Sequence, residues 1–247
     1  MDDSRRFNLE LISFCKNIPM QVLSRGELPP LLIEAVPKLN SLYFIGNKNL
    51  LNRICITFVG TRGITKYGES VIKELLNKEL ANYNIAIVSG LARGVDAYVH
   101  KICLKRGIKT IAIVPGAINS AIPKSNTEIF QEIKNKGLIL AEYSEGIVLR
   151  KEMFVLRNRL LAAISPLTIV IQAGEKSGSL ITANMALNYN RELCVVPGDI
   201  DREVSKGCNS LAKQGAGIIT SFDDLKELLG IINNQLTIKC EHLVQGK

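Results

Sequence analysis

The segment 174–179 has the composition of an anion-binding turn. An apolar, β-branched run at 167–171 precedes it and predicts a buried strand, and the apolar residues that follow recur at the spacing of a helix. Ser177-Gly178-Ser179 would then lie at the N-terminus of that helix, where unpaired backbone N–H groups and the helix dipole favour a negative charge. Lys176 adds a full positive charge beside them. The residue types and their spacing therefore predict a binding site for an anion.

Similar polar turns that contain glycine follow four other predicted strands. They begin at Gly60, Ser89, Pro115 and Pro197. Ligands of a doubly wound sheet bind outside the carboxyl ends of its strands, so these turns would share one rim. A strand-to-helix turn often needs glycine, and a single turn of this kind is explained without a ligand. The cations in or near the turns together favour an anion-binding rim. They are Arg62, Arg93, Lys124 and Lys176.

Two further groups of residues could hold protons or charges. Asp96 and His100 are four apart on one predicted helix and could pair on one face, where a structural hydrogen bond is favoured over proton transfer. Arg157 and Arg159 could hold phosphate, or could pair with a buried carboxylate, for which Glu142 is the candidate; the sequence leaves both alternatives open. No nucleophile, base and orienting group can be read from the sequence as a set, so we expect no catalytic role.

The sequence has no standard motif for a cofactor or a metal. The turns at 60–63 and 90–94 do not follow the G-x-G-x-x-G pattern, and there is no Walker motif. The six cysteines lie far apart without a C-x-x-C pair, and only His100 and His242 could assist them in binding a metal. We therefore expect no cofactor and no metal.

The charge balance favours a polyanionic partner. Lys and Arg number 31 against 23 acidic residues, which gives a formal net charge of +8 in a chain of 247 residues. No basic amphipathic helix stands out, so nucleic acid is favoured over a membrane. Most cysteines lie in or beside apolar segments, as is typical of a reducing cytoplasm. We find neither a signal peptide nor an apolar run of ~18 residues, and we expect a cytoplasmic protein without membrane contact.

The chain divides into three predicted parts. Residues 1–45 predict a short N-terminal helical segment, with helices near 7–14 and 30–36 and a short strand at 42–45. Residues 46–230 alternate apolar strands with amphipathic helices, which predicts an α/β domain with a doubly wound, mostly parallel sheet. Its helices are expected near 66–81, from 95, at 126–136, after 157–159 and at 222–229. Residues 231–247 resemble a polar tail.

Many short motifs, in order, resemble the DNA-processing protein A (DprA, or Smf) family of bacterial single-strand DNA-binding proteins. The similarity covers roughly 28–230. The motifs are Val59-Gly-Thr-Arg62 with Tyr67-Gly68, Ser89-Gly-Leu-Ala-Arg-Gly-Val-Asp96 with His100, Pro123-Lys-Ser-Asn126, Glu142-Tyr143, Phe154, Arg157-Asn-Arg159, Lys176-Ser-Gly-Ser-Leu-Ile-Thr-Ala183, Arg191, Val196-Pro-Gly198 and Ser205-Lys-Gly-Cys-Asn209.

The resemblance implies an extended Rossmann-like core that forms homodimers, binds single-stranded DNA and helps to load the RecA recombinase in natural transformation. It implies no catalysis. Carried over by motif, Arg62, Lys124 and Lys176 would contact phosphates. Thr61 and the turns at 89–94 and 177–179 would donate further hydrogen bonds from backbone or hydroxyl groups. The DNA-binding set implied is Thr61, Arg62, Ser89, Gly90, Arg93, Gly94, Lys124, Asn126, Lys176, Ser177, Gly178 and Ser179, supported by Asp96, His100, Glu142, Arg157 and Arg159.

The chain also departs from the family pattern. Asn119 and Ile122 stand where the family usually has Asp and Tyr, and the N-terminal helical domain and winged helix of some members are expected to be missing. The alternative function is a Rossmann-type enzyme acting on a small phosphorylated nucleotide. Such nucleotide phosphoribohydrolases carry P-G-G-x-G-T-x-x-E, whereas Pro115-Gly116 continues here without the further glycines or the catalytic glutamate. Single-stranded DNA binding is therefore the favoured interpretation.

Overall fold

The structure is a computed structural model that describes residues 20–118 and 122–245. Its described part contains one nine-stranded sheet and eight α-helices. The strands are β1 (Gln21–Ser24), β2 (Ser41–Gly46), β3 (Ile54–Val59), β4 (Ile85–Ser89), β5 (Thr110–Ala117), β6 (Leu138–Tyr143), β7 (Leu167–Val170), β8 (Glu192–Val195) and β9 (Gly217–Ile218). The helices are α1 (Pro30–Ala35), α2 (Lys66–Leu75), α3 (Val95–Arg106), α4 (Thr127–Lys136), α5 (Lys151–Ile164), α6 (Gly178–Asn188), α7 (Glu203–Lys213) and α8 (Phe222–Gln245).

The strand order is β1-β2-β6-β5-β4-β3-β7-β8-β9. From β6 to β9 every neighbouring pair is parallel. The chain builds the sheet outward from β3 in one direction through β4, β5 and β6, and in the other through β7, β8 and β9. The order therefore reverses between β3 and β7, which is the position where doubly wound sheets bind ligands. The predicted Rossmann-like fold is confirmed.

Both faces of the sheet are covered, as the continuously apolar strands predict. Side chains alternate between the faces: Cys55 of β3 belongs to one apolar cluster, whereas Ile56 and Phe58 belong to the other. Helices α1, α5, α6 and α7 contribute to the first cluster, and α2, α3 and α8 to the second. The two layers hold the carboxyl ends of the central strands in a fixed arrangement at one rim.

The N-terminal part differs from the prediction of a helical segment. Residues 20–46 contain α1 and, as β2, the strand expected at 42–45, but β1 was not predicted. β1 and β2 pair antiparallel with each other and extend the sheet beside β6. Leu23, Leu28 and Leu32 are buried in the same cluster as Leu138 and Leu160. This part therefore belongs to the main core. The helix predicted near 7–14 lies outside the described residues.

Several helices also differ from the prediction. α5 begins at Lys151, so residues 157–159 lie inside it and do not precede it. α2 ends at Leu75, and a separate short helical turn, Lys78–Asn82, follows it. α7 was not predicted. α8 continues to Gln245 instead of ending near residue 229, so the polar tail is helical over most of its length. No helix in the described part of the chain is long and apolar enough to cross a membrane.

Candidate functional site

A cleft of about 600 Å³ opens where β3 and β7 end, at the reversal of strand order. Three segments form its walls: the turn after β3, the turn that leads into α6, and one face of α5. Among the lining residues are Thr61, Arg62, Asp96, Phe154, Arg157, Asn158, Lys176, Ser177, Gly178 and Ser179. Eight of these ten were predicted from the sequence as binding or supporting residues.

The turn after β3 is held by backbone hydrogen bonds. The Thr61 N–H donates to the carbonyl of Gln172 at 2.7 Å, and the Thr61 carbonyl accepts from the Val95 N–H at 3.1 Å. Gly94 has φ of +80°, and a Cβ there would lie 2.3 Å from the Thr61 carbonyl oxygen. Glycine is therefore required at 94, and its close approach joins this turn to the start of α3.

Arg62 projects from that turn into the cleft. Its side chain is exposed, and its guanidinium carbon lies 5.7 Å from the centre of the Phe154 ring. An arginine over an aromatic face keeps its five N–H donors available at the edges of the guanidinium while its position is restrained. Arg62 can therefore offer a positive charge to an anion without a large loss of side-chain freedom.

The N-terminus of α6 forms the opposite wall. Ser177 caps the helix, with its Oγ accepting from the Ser179 N–H at 3.4 Å and lying 2.7 Å from the Ser179 hydroxyl. Gly178 is exposed, and a Cβ built on it would meet nothing within 4 Å. The open space leaves the backbone at the first position of α6 accessible, and exposed Lys176 lies beside it. The helix dipole and the lysine together favour an anion here.

The floor of the cleft contains a buried charged pair. Arg157, which is 7% exposed, donates from Nη1 to the carbonyls of Gly90 (2.6 Å) and Ile113. Burial lowers the pKa of Arg157 to about 10, and the nearby Asp96 carboxylate opposes that change. Burial raises the pKa of Asp96, and Arg157 opposes that rise. Since Arg157 is engaged by carbonyls, its main role is to hold the floor in position.

Asp96 and His100 do not form the pair that the sequence predicted. Asp96 accepts from the Ala92 N–H at 3.4 Å, whereas His100 Nδ1 lies 2.7 Å from the Thr110 hydroxyl. His100 is fully buried, and burial lowers its pKa to about 3. Although the two side chains are on one helix, each points to a different partner. His100 therefore packs beneath the rim and does not face the cleft.

Arg157 and Arg159 of α5, for which the sequence left phosphate binding and carboxylate pairing open, have different partners in the structure. Arg159 forms an ion pair with Glu142, and both side chains are largely buried. Arg157 instead uses backbone carbonyls of β5 and of the turn after β4. The structure thus pairs Arg159 with the carboxylate of Glu142, the partner named from the sequence, whereas carbonyl groups hold Arg157.

Several predicted residues lie outside the walls of the cleft. Ser89 is fully buried and donates its hydroxyl to the Phe58 carbonyl at 2.7 Å, so the hydroxyl does not face a ligand. Asn126 is also buried, and its Nδ2 donates to the carbonyls of Leu91 (2.9 Å) and Ala92 (3.2 Å). Gly90, Arg93, Gly94 and Lys124 are likewise not among the lining residues. Arg93 and Lys124 are exposed on the adjoining loops.

Phe154 and Asn158 line the cleft but were not predicted to bind a ligand. Asn158 accepts from Arg157 Nε at 3.2 Å and donates to the Gly178 carbonyl at 3.4 Å, which connects α5 with α6. Four of the five lining residues of α5 follow helical spacing, namely Phe154, Arg157, Asn158 and Leu161, and the fifth is Val155. This i, i+3, i+4, i+7 pattern marks one helix face and is the signal that could have identified them.

The departure at Ile122 has a packing explanation. Ile122 is 2% exposed and belongs to an apolar cluster with Leu91, Val114 and Phe130. An aliphatic side chain therefore fills the position where an aromatic residue was expected. Asn119, the other departure in this loop, lies outside the described residues.

Residues 20–230 match the family model of DNA recombination-mediator protein A. The chain is 36% identical over 184 residues to DNA processing protein DprA of Streptococcus pneumoniae, covering 74% of this chain and 64% of that protein. It is 36% identical over 197 residues to the Bacillus subtilis protein of that name, covering 79% and 66%. A putative Mycobacterium tuberculosis DprA is 35% identical over 174 residues, which is 44% of its length.

Solved structures agree with the sequence comparisons. The DprA structure from Streptococcus pneumoniae has a TM-score of 0.79 at 32% identity and covers 92% of this chain and 78% of that one. DNA processing protein A from Helicobacter pylori, described for its single-stranded DNA binding mode, has a TM-score of 0.78 at 31% identity and covers 86% and 96%. A molybdenum cofactor binding protein from Rippkaea orientalis, 17% identical with a TM-score of 0.51, shares the fold.

Proposed function

The chain belongs to the family of DNA recombination-mediator protein A, and we propose from this premise that it binds single-stranded DNA. The observation that carries the proposal is the cleft between the ends of β3 and β7. It combines exposed Arg62, exposed Lys176 and the accessible N-terminus of α6 around one space. These groups provide charge and backbone donors for a phosphodiester.

Each wall of the cleft has a distinct role in the proposal. A phosphate is held between Lys176 and the Gly178 N–H, with Arg62 on the opposite side. The Phe154 ring, over which Arg62 lies, offers an apolar face to a nucleobase. Arg93 and Lys124 extend the charged rim beyond the cleft. The remaining predicted residues, Ser89, Gly90, Gly94 and Asn126, support the turns from within.

A single strand suits this geometry better than a duplex. Its bases are unpaired and can turn toward a wall while its backbone bends into a recess. The bases of a duplex are stacked and paired, so a duplex would present mainly phosphates to the exposed cations. The cleft therefore favours the single strand, and the difference depends on Phe154 as well as on charge.

Fluorescence anisotropy with a labelled single strand and a matched duplex tests the proposal. Arg62→Ala and Lys176→Ala are each expected to weaken single-strand binding roughly tenfold, since each removes a charge-assisted contact. Lys109→Ala is the matched control. Lys109 is exposed and directly precedes β5, so it lies at the amino ends of the strands, whereas the cleft lies at their carboxyl ends. Equal binding of strand and duplex, with no loss in either cleft variant, would reject the proposal.

We further propose that the protein forms a homodimer and passes the bound strand to RecA. Family membership supports this step. Light scattering is expected to give about twice the chain mass of 27.2 kDa. RecA is expected to co-elute with the protein when single-stranded DNA is present. A monomeric mass, or no co-elution with or without the strand, would reject the corresponding part.

A further inference from the structure

A second cavity, of about 320 Å³, lies beside the cleft at the same rim. We call it the side cavity; its walls include Lys66, Tyr67, Gly198, Asp199, Arg202 and Ser205. Val204 lines both spaces, and Thr65 and Lys66 follow directly on the turn that carries Arg62. The side cavity lies at the ends of β7 and β8, whose spacing in a sheet is about 4.8 Å. The side cavity therefore adjoins the cleft.

Tyr67 presents a fixed aromatic ring to the side cavity. Its hydroxyl donates to the Pro197 carbonyl at 2.6 Å, and its side chain is 48% exposed. The position of a Cβ on Gly198 would lie 3.9 Å from the ring and 2.4 Å from the Ser205 hydroxyl, so glycine keeps this wall close to the ring. Asn209 in turn holds Gly198, accepting from its N–H at 3.2 Å and donating to its carbonyl at 2.9 Å. The ring is thus positioned before any ligand arrives.

The charges around the side cavity differ from those of the cleft. Lys66 and Arg202 are balanced by Asp199 and Asp201, which lie 3.8 Å and 4.0 Å from the Arg202 guanidinium. A balanced set does not favour a phosphate. The volume of the side cavity is at the lower end of the range for small-molecule sites. A neutral, flat and partly polar ligand fits these properties, with carboxylate and hydroxyl groups available to its edge.

We propose that the side cavity binds one nucleobase of a single strand, stacked on Tyr67, while a neighbouring phosphate occupies the cleft. The inference rests on the proposed function, because it assigns the next contact along the same strand. It differs from the cleft in its balanced charges, which leave the base and not a phosphate as the group that it binds. It predicts that affinity depends on the presence of a base at this position.

A double-mutant cycle between protein and DNA tests this site. The strands are an oligothymidylate of about 12 nucleotides and an abasic strand with the same number of phosphates. Tyr67→Leu is expected to weaken binding of the base-containing strand by about 5- to 150-fold, the range for loss of one stacked base. It is expected to leave binding of the abasic strand and the salt dependence nearly unchanged. Tyr67→Phe, which keeps the ring, is the matched control and is expected to bind within about threefold of wild type.

A second measurement uses the unmodified protein. A strand containing 5-iodouracil is irradiated in the complex, and the attachment site is mapped by mass spectrometry; attachment at Tyr67 is expected. Attachment only at other residues, or equal losses for both strands in Tyr67→Leu, would overturn the side-cavity site while leaving the proposed function intact. Failure of the wild-type protein to bind single strands would overturn both.

Discussion

Arg62 and Arg157 lie at the same cleft, but their partners differ. Arg62 is exposed and contacts an aromatic face, whereas Arg157 is buried and donates to two backbone carbonyls. An arginine already engaged by carbonyls gains less from an added phosphate than one that is restrained but available. We therefore attribute ligand binding to Arg62 and Lys176, and the shape of the floor to Arg157 with Asp96.

Gly90→Ala is expected to destabilise the protein by roughly 1–3 kcal/mol, the usual cost of overpacking a buried site. A Cβ at this position would lie 2.4 Å from Arg157 Nη1 and 2.6 Å from Asp96 Oδ2, so the buried pair would have to move. Urea unfolding measures the loss. Gly26→Ala is the control, because nothing lies within 4 Å of a Cβ there. Equal stability of the two variants would contradict the packing described for the floor.

His100 is expected to make the folded state less stable in acid. The folded protein keeps it neutral down to about pH 3, whereas the unfolded chain binds a proton near 6.5. Stability is therefore fully present above pH 6.5 and falls as pH decreases toward 3, by up to about 1.4 kcal/mol per pH unit. Asp96 has the opposite effect on stability in acid. Its pKa is raised in the folded state, so protonation of Asp96 stabilises the folded protein as pH decreases.

Comparison with His100→Asn isolates the histidine contribution, since Asp96 is common to both proteins. Asparagine retains a polar group near Nδ1, which contacts Thr110. Between pH 7.5 and 5, wild type is expected to lose about 2 kcal/mol more unfolding free energy than the variant. Urea unfolding at several pH values provides the measurement. Parallel pH profiles would show that His100 becomes charged without unfolding.

At the scale of secondary structure, the segment 20–46 joins the sheet and should unfold with it. Leu32 of α1 is fully buried in the cluster shared with β6 and α5. Leu32→Ala is expected to lower the unfolding free energy by roughly 2–5 kcal/mol in one cooperative transition. Leu187→Ala, on the half-exposed face of α6, is the control and should change stability by less than about 0.5 kcal/mol. A separate early transition in the Leu32 variant would contradict a shared core.

The elements that the sequence predicted well are those with a strong local signal. β3, β4 and β7 are mainly apolar runs, interrupted only by single polar residues such as Thr57 and Thr168, and α4 has clear helical spacing. β1 escaped prediction because only Leu23 of its four residues is buried. α7 contains Ser205, Gly207 and Asn209, which are weak helix formers, so its tertiary packing outweighs local propensity.

Partners far apart in the chain limited prediction of the site. The carbonyl that accepts from Arg157 belongs to Gly90, 67 residues away, and no local pattern identifies such a partner. Arg159 and Glu142 were foreseen as one alternative because opposite charges suggested a pair. The turn at 174–179 lies where its position after a buried strand predicts, on a wall of the cleft, and anion binding there stays a prediction.

At the scale of the whole molecule, net charge and local charge have different consequences. The chain carries a formal +8, but exposed cations also lie away from the cleft, for example Lys109 at the amino end of β5. A diffuse positive surface attracts any polyanion, whereas cations gathered at the switch point of the sheet select a bound position. Salt dependence separates the two, because only cations that neutralise bound phosphates contribute counterion release.

The slope of the logarithm of the association constant against the logarithm of salt concentration should count the cleft cations. Each phosphate neutralised in a single strand contributes about −0.7 to that slope. Arg62→Ala and Lys176→Ala are therefore each expected to make it shallower by about 0.7, while Lys109→Ala leaves it unchanged. Anisotropy titrations over a series of salt concentrations give the slopes. If all three variants change affinity alike and keep the wild-type slope, the attraction is diffuse and the cleft is not where the strand binds.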